Sequence, residues 1–162
     1  MAIRKIRMNG DEILRKKSRE VEVVDDKIRE ILNDMVETMY SANGVGLSAV
    51  QVGILKRLVV IDVEYNENSV IKLVNPVIVK TKGMQECQEG CLSFPNQFAL
   101  VRRPKEVTVE ALDENGRKII IKGKELLAQA LCHELDHLDG KLFVDIMEDG
   151  TLEYLDNTEN KK

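Results

Sequence analysis

Two histidines stand four residues apart in His133-Glu-Leu-Asp-His137, and they are the only histidines in the chain. On a helix that spacing sets both imidazoles on one face, a turn apart, where each can point a ring nitrogen at the same metal ion. Glu134 is turned by about 100° from His133 around a helix of ~3.6 residues per turn. Its carboxylate can therefore reach a water held by the metal without taking a ligand position, which is the place of a general base in metal-assisted hydrolysis. The plain alternative is a core or solvated helix that happens to carry two histidines.

A hydrolytic site keeps one coordination position open, so the two imidazoles need one further protein ligand. A zinc peptidase would take a downstream glutamate, here Glu153 or Glu159, both in the short polar end of the chain. Cys91 offers a thiolate in Glu89-Gly-Cys-Leu-Ser-Phe-Pro95, where glycine and proline fix an unusual backbone path, and it is the preferred candidate. Cys132 adjoins His133 and would project away from the ion, as a small core residue does. Cys87 and Cys91 with both histidines could close a structural zinc site, but that would leave Glu134 without a task. Upstream, Gly44-Val-Gly-Leu-Ser-Ala49 has the look of a dinucleotide fingerprint, with Asp62 or Glu64 beyond it. The fingerprint needs a strand before its glycines, and the segment here has helical periodicity, which rejects nucleotide binding. Gly44 and Gly46 would instead let an extended peptide approach the backbone, and Gln51 offers a neutral amide donor for a developing oxyanion. A satisfied glutamine in a helix-to-strand connection is the bland reading.

Several elements must position these residues. Ile28, Ile31, Leu32, Met35, Val36 and Met39 recur at helical steps over 25–41, and Asn43-Gly44 stops the helix. Branched runs at 57–62 and 70–80 read as strands, the second broken at Asn75-Pro76. A hairpin follows, with strands at 106–112 and 118–122 around Asp113-Glu-Asn-Gly116. From 124 to 139 a broad apolar face of leucines and Ala130 predicts a buried helix ended by Gly140, and it carries the histidines. The tail 156–162 is polar throughout and is expected to fray.

The 162 residues suit one domain able to bury a core, and a net charge of −4 gives no electrostatic reason to expect nucleic acid. The first residues lack an apolar leader run, and no stretch approaches the ~20 apolar residues of a membrane helix. Three cysteines without a scaffold spacing suit a reducing compartment, so the expected location is cytoplasmic.

Together, Gly44-Val-Gly-Leu-Ser-Ala-Val-Gln51, Glu89-Gly-Cys-Leu-Ser93 and His133-Glu-Leu-Asp-His-Leu-Asp-Gly140 resemble the three signature motifs of the peptide deformylase family, in order and approximate spacing. The compact second motif resembles the shorter bacterial type. The resemblance implies an α+β fold in which antiparallel strands pack around a central helix carrying the motif. It implies removal of the N-formyl group from the N-terminal methionine of new proteins, with formate released. The implied partners are N-formylmethionyl nascent polypeptides and, by extension, the ribosome, with no membrane and no sequence-specific nucleic acid. Fe2+ is the implied natural metal, although histidine and cysteine donors favour zinc in general, and Zn2+, Ni2+ or Co2+ could fill a purified sample.

By the same resemblance Cys91, His133 and His137 hold the metal and Glu134 is the base, while Gln51 and the Leu92 backbone N–H receive the oxyanion. Gly46 and Gly90 hold the peptide backbone as an added strand. Val45, Cys87, Leu126, Gln129 and Ala130 fall where the family lines its methionine pocket. Phe98 departs from the arginine that relatives of the shorter type often carry, which puts one peptide contact in doubt. One of Arg102 and Arg103 is expected to pair with Asp136 and steady the ligand helix.

Overall fold

The computed structural model describes residues 2–155; the expectation about the tail 156–162 lies outside them. Helix α1 runs Asp26–Ser41, one residue later than the periodicity suggested, because the Asp25 carboxylate accepts from the Ile28 N–H and makes Asp25 the cap. It ends where Asn43 turns left-handed, φ 57°, and the Gly44 N–H closes on the Met39 carbonyl at 2.9 Å.

A five-stranded antiparallel sheet contains β1 (Gly46–Ser48), β2 (Leu58–Ile61), β3 (Ile71–Lys82), β6 (Glu106–Leu112) and β7 (Lys118–Lys124), in the order β1-β2-β3-β6-β7. A second sheet has the order β4-β5-β8, from β4 (Gln85–Cys91), β5 (Phe94–Arg103) and β8 (Glu153–Tyr154). Helix α2 (Leu126–Leu138) carries the histidines and packs mainly against the large sheet, with a further contact to β5. The architecture is α+β.

All four residues of β2 are buried, since their alternating side chains meet a helix on either face. Leu58 and Val60 join Leu32, Met35 and Met39 of α1, while Val59 and Ile61 join Leu131, Leu135 and Leu138 of α2. A third cluster, with Phe94, Ala99, Val101, Leu142 and Phe143, lies against the small sheet. Truncating a fully buried leucine such as Leu131 to alanine costs about 2–5 kcal/mol.

One expectation needs correction. The break at Asn75-Pro76 is a bulge within one continuous strand: the register shifts between Val74 and Val77. Asn75 adopts φ 52°, and its amide exchanges hydrogen bonds of 2.8 and 2.9 Å with the Val21 backbone, which offsets the ladder bond that Pro76 cannot make. The segment 89–95, expected to follow an unusual backbone path, turns sharply between two strands. It is the end of β4, a tight turn at Leu92-Ser93, and the start of β5. Polar Glu86 and Gln88 alternate with buried Cys87 and Glu89, so β4 lacks the branched residues that announce a strand.

Candidate metal centre and cleft

Helix α2 crosses behind β1 and presents His133, Glu134 and His137, all buried, toward the end of β4. His133 Nε2 and His137 Nε2 are 3.3 Å apart, and Cys91 Sγ is 3.3 Å from His137 Nε2. The three donor atoms lie within 4.8 Å of one another. Tetrahedral bonds of ~2.0–2.1 Å to nitrogen and ~2.3 Å to sulfur separate ligand atoms by roughly 3.3–3.6 Å, so this donor set fits one divalent ion. Burial, reinforced by His133 and Arg103, keeps the His137 imidazole well below its ordinary pKa and therefore neutral, as a ligand must be.

Cys91 reaches this point because β4 and β5 shift register between Gly90 and Cys91. His133 is held from behind by Glu89, bonded to its Nδ1, which leaves Nε2 facing the centre. Glu89 is itself gripped by Arg103 of β5, through Nη2 at 2.6 Å and Nε at 3.2 Å. Burial raises the Glu89 carboxyl, but the bonds from His133 and Arg103 outweigh it and hold the group at about 2. Arg103 also bonds Asp136 at 2.6 Å, so it is the arginine of the two that pairs with Asp136 on α2. Arg102 instead meets Glu148 at the surface.

Glu134 is 4 % exposed, and burial pushes its carboxyl up against the pull of His133 and Ser48. Ser48 Oγ of β1 lies 2.8 Å from both the Glu134 Oε2 and its backbone carbonyl. Gly46 is pressed against this carboxylate: a Cβ there would meet Glu134 Cγ and Oε1 at 3.0 Å. Gln51 sits in the 3-10 turn Ala49–Val52, its Oε1 accepting from the Ser48 N–H at 2.9 Å. Its Nε2 therefore points inward, 3.1 Å from Ser93 Oγ and 3.5 Å from Cys91 Sγ.

A cleft of about 610 Å³ opens over these groups. Gly44, Val45 and Gly46 form one wall, Gly90, Cys91 and Leu92 another, and Leu126, Gln129 and Ala130 join His133 and Glu134 on the helix side. Gln51 and His137 lie behind the wall. Cys87, expected at the methionine pocket, is buried and packs with the cluster against the small sheet. Burial raises the thiol pKa of both Cys87 and Cys132, the latter to about 11, which suits core residues. Glu153, the peptidase-type candidate, is exposed on β8, and Glu159 lies outside the described residues. Phe98 lines the cleft, its ring against Gly90, where a Cβ would come within 2.8 Å of it.

Glu89, Arg103's grip on it, Ser48 and Ser93 have no role in the sequence reading. Glu89 and His133 are 44 residues apart, and only the general habit of ligating imidazoles to bond a carboxylate pointed to such a partner.

Two imidazoles and a cysteine sulfur beside a buried carboxylate, on and just behind the wall of a peptide-sized cleft, are the donor set that a one-metal hydrolase requires. Residues 3–152 match the family described as polypeptide deformylase. The chain is 60% identical over 148 residues to peptide deformylase 2 of Clostridium acetobutylicum, covering 91% of this chain and 97% of the relative. It is 48% identical to the peptide deformylase of Finegoldia magna over the full length of both. Among solved structures, a peptide deformylase from Legionella pneumophila superposes with a TM-score of 0.89 at 48% identity, covering 91% of this chain and 88% of that one. One from Synechococcus elongatus, in complex with actinonin, gives 0.85 at 44% identity, covering 90% and 79%. The chain belongs to the polypeptide deformylase family.

Proposed function

We propose that this chain hydrolyses the formamide of N-formylmethionyl polypeptides, acting as one catalytic domain on nascent proteins in the cytoplasm. The observation that carries the reading is the convergence of Cys91, His133 and His137 beside Glu134, in a cleft walled by two backbone edges. A divalent ion held by those three residues would supply a Lewis acid for the formyl oxygen and an acidified water. Fe2+ is the ion we assign to the natural protein; Zn2+, Ni2+ or Co2+ would satisfy the same donors in a purified sample.

Glu134 takes a proton from the attacking water and delivers it to the departing methionine nitrogen as the C–N bond breaks and formate leaves. Its raised pKa suits both halves of that exchange. The Gln51 amide and the Leu92 N–H donate to the oxyanion that develops on the formyl oxygen. The backbone edges at Gly44–Gly46 and Gly90 bind the peptide, and the pocket beside Val45, Leu126, Gln129 and Ala130 takes the methionine side chain. Among the described residues no helix is long and apolar enough to cross a membrane. A nascent-chain enzyme of this kind would work beside the ribosome.

The competing reading is a small zinc peptidase. A matched pair of methionyl peptides, formylated and free, separates them: formate from the first and an intact second peptide are expected, while cleavage within the free peptide would replace the proposal.

A further inference from the structure

Asp62 is a carboxylate with 1 % exposure that takes no part in the chemistry above. It follows β2, and its own N–H donates to the Val45 carbonyl at 2.8 Å, carrying the β1–β2 ladder one step past Gly46↔Ile61. Its side chain accepts from Tyr40 Oη on the last turn of α1 and from Ser69 Oγ at 2.6 Å, and the backbone N–H groups of Tyr65 and Asn66 bond to it as well. Tyr65 closes the circle, its hydroxyl 3.3 Å from the Tyr40 carbonyl and its ring edge-on to that of Tyr40 at 5.4 Å. One buried residue, through its carboxylate and its backbone N–H, thus joins the end of α1, the loop 65–69 and the chain that enters β1.

Gly44 is tied to Met39 and Gly46 is paired in β1, but Val45 between them has little of its own to fix it. Asn43 makes a left-handed helix exit, Val45 is 40 % exposed, and Gly46 carries no side chain with which to pack. Its placement matters because Gly44, Val45 and Gly46 form the backbone edge that faces the cleft. We propose that Tyr40, Asp62 and Ser69 form a clasp that holds the Val45 carbonyl and so sets the register of the Gly44–Gly46 edge for the incoming peptide backbone. These are positioning residues, acting through Val45 without touching substrate. The proposal rests on the reading of Gly44–Gly46 as the peptide-binding edge.

Loosening the clasp weakens alignment of a strand hydrogen bond formed equally in the ground and transition states, so the loss falls on KM and not on kcat. The experiment compares Tyr40→Phe and Ser69→Ala with the unsubstituted, metal-loaded chain on a formylmethionyl tripeptide and on N-formylmethionine amide, which lacks downstream residues to pair with the edge. Unsubstituted protein should have the lower KM for the tripeptide. Each variant should raise that KM by roughly fivefold, the scale of one hydrogen bond, with kcat within about twofold and the amide unaffected. Unchanged KM for both substrates in both variants overturns the clasp alone. An equal loss on tripeptide and amide overturns it too, because general loosening of the fold would do that. Absence of any preference for the tripeptide in the unsubstituted protein overturns both the clasp and the peptide-binding edge beneath it.

Discussion

Replacing Arg103 with methionine should be among the most damaging changes to this protein that leave every candidate ligand in place. Arg103 is 4 % exposed and makes two bonds to Glu89, 3 % exposed, and one to Asp136. Methionine fills part of the volume but leaves a buried carboxylate facing His133 without its cation. Removing one partner of a buried pair costs about 3–5 kcal/mol. For a chain of this length 1 kcal/mol moves Tm by roughly 2–4 °C, so the midpoint should fall by about 6–20 °C. Without Arg103 the Glu89 carboxyl, now at about 2, rises, and its grip on His133 Nδ1 weakens. Metal affinity should then drop by about 10–100-fold. Thermal unfolding of metal-loaded and chelated protein, with competition titration against a chromophoric chelator, measures both effects. Adding Glu89→Gln to Arg103→Met should cost less than the sum of the two single changes, because the uncompensated charge is gone. A variant that melts within about 2 °C of the parent and binds metal equally well would refute the reasoning.

Other consequences are open to direct measurement. Asp136→Asn, at the more exposed end of the same arginine, should cost only about 1 kcal/mol and weaken metal binding slightly; unchanged metal affinity and activity would deny Asp136 any part in steadying the helix. Gly46→Ala puts a methyl 3.0 Å from the Glu134 carboxylate and should lower kcat by at least ~10-fold with metal content unchanged, as judged by steady-state kinetics alongside elemental analysis. Burial, with the Asp62 carboxylate, pushes the Tyr40 phenol up to about 12. Because the folded state favours the neutral phenol, its contribution to stability is complete below pH ~10 and is lost as pH rises toward 12, so urea titrations of Tyr40→Phe should show a flatter alkaline limb than the parent. Iron-loaded protein should lose activity in air faster than under anaerobic conditions, since Cys91 is the most exposed of the three thiols and a thiolate ligand is oxidisable; equal survival at equal iron content would contradict this.

The chemistry was more legible in the sequence than the architecture that serves it. His133, Glu134 and His137 were readable because a local 3.6-residue period fixes their relative directions, and α1 and α2 were readable for the same reason. Cys91 could be preferred on chemical grounds, since the rival donors were a polar tail, a residue on the wrong side of α2, or a set that idled Glu134. The β4–β5 hairpin was illegible: its inward residues are Cys87 and Glu89, and Glu89 is buried only because Arg103, 14 residues away, neutralises it and His133, 44 residues away, bonds to it. Long-range polar pairing of that kind leaves no period behind. Asn75-Pro76 misled for the opposite reason, because a strong local strand-breaking signal was overridden by the Asn75–Val21 bonds across 54 residues.

The most direct test of the account is formate release from a short N-formylmethionyl peptide by anaerobically purified protein, run beside Glu134→Ala at matched metal content. The account predicts turnover by the parent and a loss of about 10²–10⁴-fold in the variant, with Cys91, His133 and His137 still holding one ion per chain. Undiminished release by Glu134→Ala would contradict the assignment of the base. No release by metal-loaded parent would contradict the proposed reaction itself.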